Sequence, residues 1–189
     1  MKLKFGFFSI LFVLTLILFP NPLTPAVLLA AFLHELGHVL AARLCHIPLQ
    51  SCSVGLFGAG LSPQCGFYSS RQELLLCLSG PLVNLLSGSL SLLLPPSQPR
   101  LDFAAASLFL GFLNLLPVQS FDGGRILLLL LSLRLSPRTS YRLLRLLSFS
   151  CLFLLWTLSV YLLLRSASSL SLFVFSLSLF FKLFIEEKD

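Results

Sequence analysis

The chain has 189 residues, 57% hydrophobic and 11% charged, with a mean hydropathy of +0.97. A soluble domain carries roughly 25% charged residues, so this composition excludes an ordinary water-soluble domain and leaves room for about six membrane spans. The formal net charge is +6, but the basic residues stand at the ends of apolar runs with no interleaved aromatics. That pattern argues for topology signals and lipid anchors and against nucleic acid as a partner.

Lys2 and Lys4 precede an apolar run from Phe5 to Phe19. It has the look of a signal peptide, but it reads better as an uncleaved first span, extended by snorkelling lysines. Pro20, Asn21, Pro22 and Pro25 form an uncharged turn, and a second span is expected from about Val27 to Cys45. Residues 46–71 are the longest polar stretch, with Gly55, Gly58, Gly60 and Gly66 among Ser, Val, Leu and Phe, the mark of one or two short strands with glycine bends.

A third span is expected from Glu73 to Leu94, closed by Pro95, Pro96 and Pro99. The fourth unit, Phe103 to Leu133, is interrupted by Pro117 and Gly123-Gly124. It reads as a broken helix lining a cavity, because freed backbone groups survive in a bilayer only where protein or water satisfies them. Ser136-Pro137 resembles a cap followed by a first-turn proline, and Arg138, Arg142 and Arg145 recur on one helical face. Two further spans, Leu146–Leu164 and Leu170–Phe184, precede the acidic tail Glu186, Glu187 and Asp189.

The expected fold is therefore an all-α polytopic membrane protein of about six transmembrane helices. A short β-hairpin or strand element separates the second and third spans. One membrane-embedded domain spans 1–189, with a core over 27–133 and extra C-terminal spans over 146–185. With both termini in the cytosol, Lys2, Lys4, Arg43, Arg71, Arg134, Arg138, Arg142, Arg145 and Lys188 fall on the cytosolic side, leaving Arg100 and Arg165 outside. Among five cysteines there is no CxxC pair. Cys45, Cys77 and Cys151 lie in apolar runs as small core residues, and Cys52 and Cys65 are expected to be reduced in a cytosolic loop.

The second span contains His34-Glu35-Leu36-Gly37-His38. On a helix, residues four apart share a face, so both imidazoles can reach one ion, while Glu35 points to the adjacent surface and is suited to general-base work. A glutamate at the centre of a span costs about 2.5–3.5 kcal/mol or more, so this group needs a compensating role. Interhelical hydrogen bonding is the bland alternative. A catalytic zinc usually takes three protein ligands. His46 is one candidate for the third, although an interfacial histidine is the simpler reading. Asp122 is the better candidate, with a helix cap as its plain alternative. Asn84 and Asn114 are polar groups in apolar surroundings, suited either to a substrate backbone or oxyanion or to interhelical bonds.

Together, His34-Glu35-Leu36-Gly37-His38 and Asn114-Leu115-Leu116-Pro117-Val118-Gln119-Ser120-Phe121-Asp122-Gly123-Gly124-Arg125 resemble the two signatures of the site-2 protease family of intramembrane metalloproteases. Ser79-Gly80-Pro81-Leu82-Val83-Asn84 is similar to the family's Gly-Pro-x-x-Asn element, and Leu56-Phe57-Gly58-Ala59-Gly60 to its glycine-bearing strand. Ser120 stands where the family often has proline.

The resemblance implies one Zn2+ per chain on His34, His38 and Asp122, with Glu35 as general base. Asn84, Asn114 and Gly58 become candidate substrate contacts. It implies a multi-pass protein of a bacterial cell membrane, cutting a membrane-tethered protein substrate under a membrane regulatory partner. Such a substrate would be a transcription factor or a sporulation pro-sigma factor. The layout is most similar to the stage IV sporulation protein FB branch, although this chain has no room for that branch's CBS domain, nor for a PDZ domain. The competing readings are a catalytically inactive membrane scaffold and a metal-binding or metal-transport membrane protein.

Overall fold

The computed structural model describes residues 23–47 and 69–165, together with the backbone of three short segments, Lys2–Phe5, Leu49–Gly55 and Gly58–Pro63. The chain divides into two compact units, Met1–Asn114 and Leu115–Asp189. Wherever side chains are described the regular structure is helical. The helices are α1 (Thr24–Leu44), α2 (Ser70–Leu92), α3 (Gln98–Asn114), α4 (Asp122–Ser132) and α5 (Pro137–Arg165). The three backbone segments run extended as β1, β2 and β3, with β1 parallel and β3 antiparallel to β2.

Three helices among the described residues are long and apolar enough to cross a membrane, Thr24–Leu44, Ser70–Leu92 and Pro137–Tyr161. Among the described residues, then, the structure supports three spans of the six expected. The spans expected over Phe5–Phe19 and Leu170–Phe184 lie, but for Phe5, outside the described residues. The fourth unit is two helices rather than one interrupted span, because α3 ends at Asn114 and α4 begins at Asp122. Arg138, Arg142 and Arg145 are continuous with the next span, since no proline or glycine falls between Pro137 and Arg165 to stop the helix.

The helices are built inside out. On α1 the buried positions are Ala26, Ala30, His34, Gly37, His38 and Ala42, while Phe32, Leu40 and Leu44 face outward, Leu44 at 79% exposure. Small and polar residues line the packing face and large apolar residues face the surroundings, as in helices that meet within lipid. In the first unit α1, α2 and α3 pack on one another. A Cβ on Gly37 would lie 2.8 Å from the Ser79 carbonyl oxygen, and one on Gly111 would lie 3.0 Å from the Leu85 side chain. Only residues without a side chain allow backbones to come this close. Ser107 Oγ adds a hydrogen bond from α3 to the Asn84 carbonyl on α2, 3.0 Å.

The ends of α1 and α2 are also tied together. His46 takes a left-handed conformation, φ 53°. Its N–H bonds to Arg43 O, and that of Ile47 to Ala42 O. This is a Schellman termination, with Ile47 packed beside Ala42 and Leu76. Ser69 and Gln72 form a capping box at the start of α2, and Gln72 Nε2 also donates to the Cys45 carbonyl, 3.0 Å.

In the second unit α4 packs on α5. The irregular stretch before α4 would leave backbone groups unpaired in an apolar setting, and Ser148 of α5 meets them. Its Oγ accepts from the Gln119 N–H at 2.9 Å and donates to the Pro117 carbonyl at 3.2 Å.

Candidate metal-binding and catalytic site

His34 and His38 lie one turn apart on the buried face of α1, only 6% and 7% exposed. Their rings meet edge to face, 4.8 Å between centroids and 87° between planes. The two Nε2 atoms face each other at 3.2 Å. The opposite nitrogens are already engaged. His38 Nδ1 donates to the Leu76 carbonyl, 2.8 Å, with Ser79 Oγ 3.3 Å away. His34 Nδ1 lies 3.3 Å from the Asn84 amide nitrogen. Metal-binding histidines are held in this way, one nitrogen anchored to a protein group and the other left for the ion.

Gly80 keeps that side of the rings open. A Cβ at position 80 would lie 2.5 Å from His38 Nε2 and 2.8 Å from His34 Cε1. Any side chain there would occupy the ground on which the two nitrogens converge. A metal ion therefore suits this pair, in donor chemistry and in the room available. The sequence signals Gly80 only through its place in Ser79-Gly80-Pro81, since the reason for it lies on a different helix. Glu35, next to His34, is half-buried.

Asp122 belongs to the second unit. It is half-buried in the first turn of α4. The cap position is Phe121, which makes no side-chain capping bond, so Asp122 is inside the helix and not its cap residue. Side chains at Gly123 and Gly124 would collide with the carbonyls of Leu115 and Val118. The glycine pair thus lets the first turn of α4 press against the stretch that precedes it. The break falls at residues 115–121, which include Pro117 as expected but not the glycines.

Of the other expected site residues, Asn84 is the one described beside a histidine. Asn114 ends α3 and its amide donates to the Leu110 carbonyl, 3.0 Å. Asn84 is fully buried. Gly58 opens β3, where the backbone alone is described. His46 is exposed at the C-terminal cap of α1, where its backbone conformation accounts for its position. Cys45, Cys77 and Cys151 are in no disulfide.

Comparison with known proteins bears on the same segments. Residues 97–158 match the model of Peptidase family M50. That segment includes Asn114, Asp122 and the glycine pair. Among solved structures, a site-2 protease from Methanocaldococcus jannaschii is similar to this chain, with a TM-score of 0.64 and 22% sequence identity, over 96% of this chain and 88% of that one. The likeness shows a shared fold. No curated protein matches the chain. The apolar helices and the family match together describe a membrane protein with a protease-family segment.

Proposed function

We propose that the chain is an intramembrane zinc metalloprotease of the site-2 protease type. The observation that carries the reading is the pair of buried Nε2 atoms on His34 and His38, 3.2 Å apart, in a helix otherwise fit for a membrane. His34, His38 and Asp122 supply the donor set for one zinc ion. Bound there, zinc supplies Lewis acidity towards a peptide carbonyl. Glu35 acts as general base, taking a proton from the attacking water and returning it to the departing amine.

The substrate class is a membrane-tethered protein. A helical substrate hides its peptide bonds and has to be extended before it is cut. The β2–β3 segment is the element proposed to hold the extended chain by strand addition, with Gly58 and Asn114 as substrate contacts. The proposed arrangement is about six spans, from the number of apolar runs, with both termini in the cytosol, from the charge bias along the chain, and a bacterial cell membrane as the setting that the family resemblance suggests. Regulated cleavage under a membrane partner, in sporulation or in signalling, belongs to the same proposal.

The decisive test is zinc content in detergent-purified protein without a histidine tag. Close to one zinc per chain is expected in the wild type, falling in both His34→Ala and Asp122→Ala. A well-folded wild type without zinc would overturn the reading. Glu35→Gln is expected to keep zinc and lose cleavage, and undiminished cleavage in that variant would remove the general-base role.

A further inference from the structure

Asn84 is fully buried in the middle of α2. Its Nδ2 lies 3.3 Å from His34 Nδ1, and its Oδ1 is buried with no hydrogen-bond partner among the described residues. A side-chain amide is nearly symmetric in shape, so the surrounding bonds decide which end faces which neighbour.

The histidine pair makes that decision. His38 Nδ1 faces the Leu76 carbonyl, which can only accept, so Nδ1 carries the proton and Nε2 keeps its lone pair. His34 Nε2 faces the same point. For both rings to donate a lone pair to one cation, His34 must also carry its proton on Nδ1, and that N–H requires an acceptor. The Asn84 amide stands at that nitrogen and holds an unused acceptor, Oδ1. Full burial leaves it no surface to offer a substrate. Its backbone is fixed as well, since Ser107 Oγ and Ser87 Oγ both donate to the Asn84 carbonyl, at 3.0 and 3.2 Å.

We propose that Asn84 is a positioning residue for the metal ligand His34. Its amide turns so that Oδ1 accepts from Nδ1–H, which holds the imidazole in the tautomer that presents Nε2 to zinc. The inference rests on the zinc reading. Leu76 O performs the same task for His38, with Ser79 Oγ beside the same nitrogen.

The test compares zinc dissociation constants, by chelator competition, for the full-length wild type, Asn84→Ala and Asn84→Asp. Aspartate keeps an acceptor at the imidazole and alanine removes it. Asn84→Ala should weaken zinc by roughly ten- to a hundredfold, and Asn84→Asp should stay within about threefold of wild type. Imidazole nitrogen NMR of zinc-loaded wild type should show His34 with a hydrogen-bonded proton on Nδ1, a readout that needs no variant to fold. Zinc held equally tightly in Asn84→Ala overturns the proposal, as does equal loss in both variants or a proton on His34 Nε2. Wild type without zinc defeats the metal reading and this inference together, whereas zinc in wild type with an indifferent Asn84→Ala defeats this inference alone.

Discussion

Helices α1 and α5 follow the same rule of construction and use their polar groups for different ends. Both bury a narrow stripe, of alanine, glycine and histidine on α1 and of serine with Leu144 and Leu152 on α5, and turn most of their large apolar residues outward. On α5 the buried polar residues are Ser140, Ser148 and Ser159. Ser140 bonds back to the carbonyl of Ser136, just before the helix, and Ser159 to that of Trp156 within it, and Ser148 closes the irregular backbone at residues 117–119. These are structural bonds. On α1 the buried polar residues reach across to α2, and each histidine keeps its Nε2 turned towards its neighbour. A hydroxyl in an apolar setting can be satisfied by the nearest carbonyl. An imidazole anchored at one nitrogen still has a second atom to offer, and that remainder separates a chemical site from a packing device.

The contrast can be broken most sharply at Gly80. Gly80→Ala places a methyl group between the two rings, and zinc affinity should fall by roughly a hundredfold or more as the ligands are pushed aside. Chelator competition on protein shown to be folded checks this. An alanine that leaves zinc unchanged would mean that the nitrogens do not converge where Gly80 faces them.

Ser148→Ala tests the other side of the comparison. It strands the Gln119 N–H and the Pro117 carbonyl, and the loss should be about 1–3 kcal/mol of stability, read from denaturation in detergent.

The smallest effect concerns the remaining histidine. His46→Gly relieves a left-handed backbone and should stabilise the chain by about 0.5–1 kcal/mol, with zinc per chain unchanged. A drop in zinc would return His46 to the ligand set.

The sequence carried the histidine pair clearly, because a four-residue spacing on a helix puts two side chains on one face whatever surrounds them. It also carried a break at Pro117 and the start of α5, where proline and capping chemistry act locally. It misplaced the glycine pair, assigning Gly123 and Gly124 to the break. Their purpose is close approach to the Leu115 and Val118 carbonyls, a contact that a linear reading does not display. The arginine-bearing turns and the span from Leu146 form one helix, a continuity that follows from the absence of proline and glycine after Pro137. His46 looked like a possible ligand because its spacing says nothing of a positive φ. For Asn84 the sequence allows both substrate contact and interhelical bonding, because only packing reveals which nitrogen it faces.

The bond from Gln72 to the Cys45 carbonyl has a consequence for how freely the chain can vary. It staples the last turn of α1 to the first turn of α2, so the ends of the intervening segment are held together by the helices themselves. The entropy of closing that loop is met outside it, and each doubling of its length adds only about 0.6 kcal/mol. The length of the chain between residues 48 and 68 is therefore cheap to change, while the bond at the helix ends keeps α1, which carries the histidines, in place against α2.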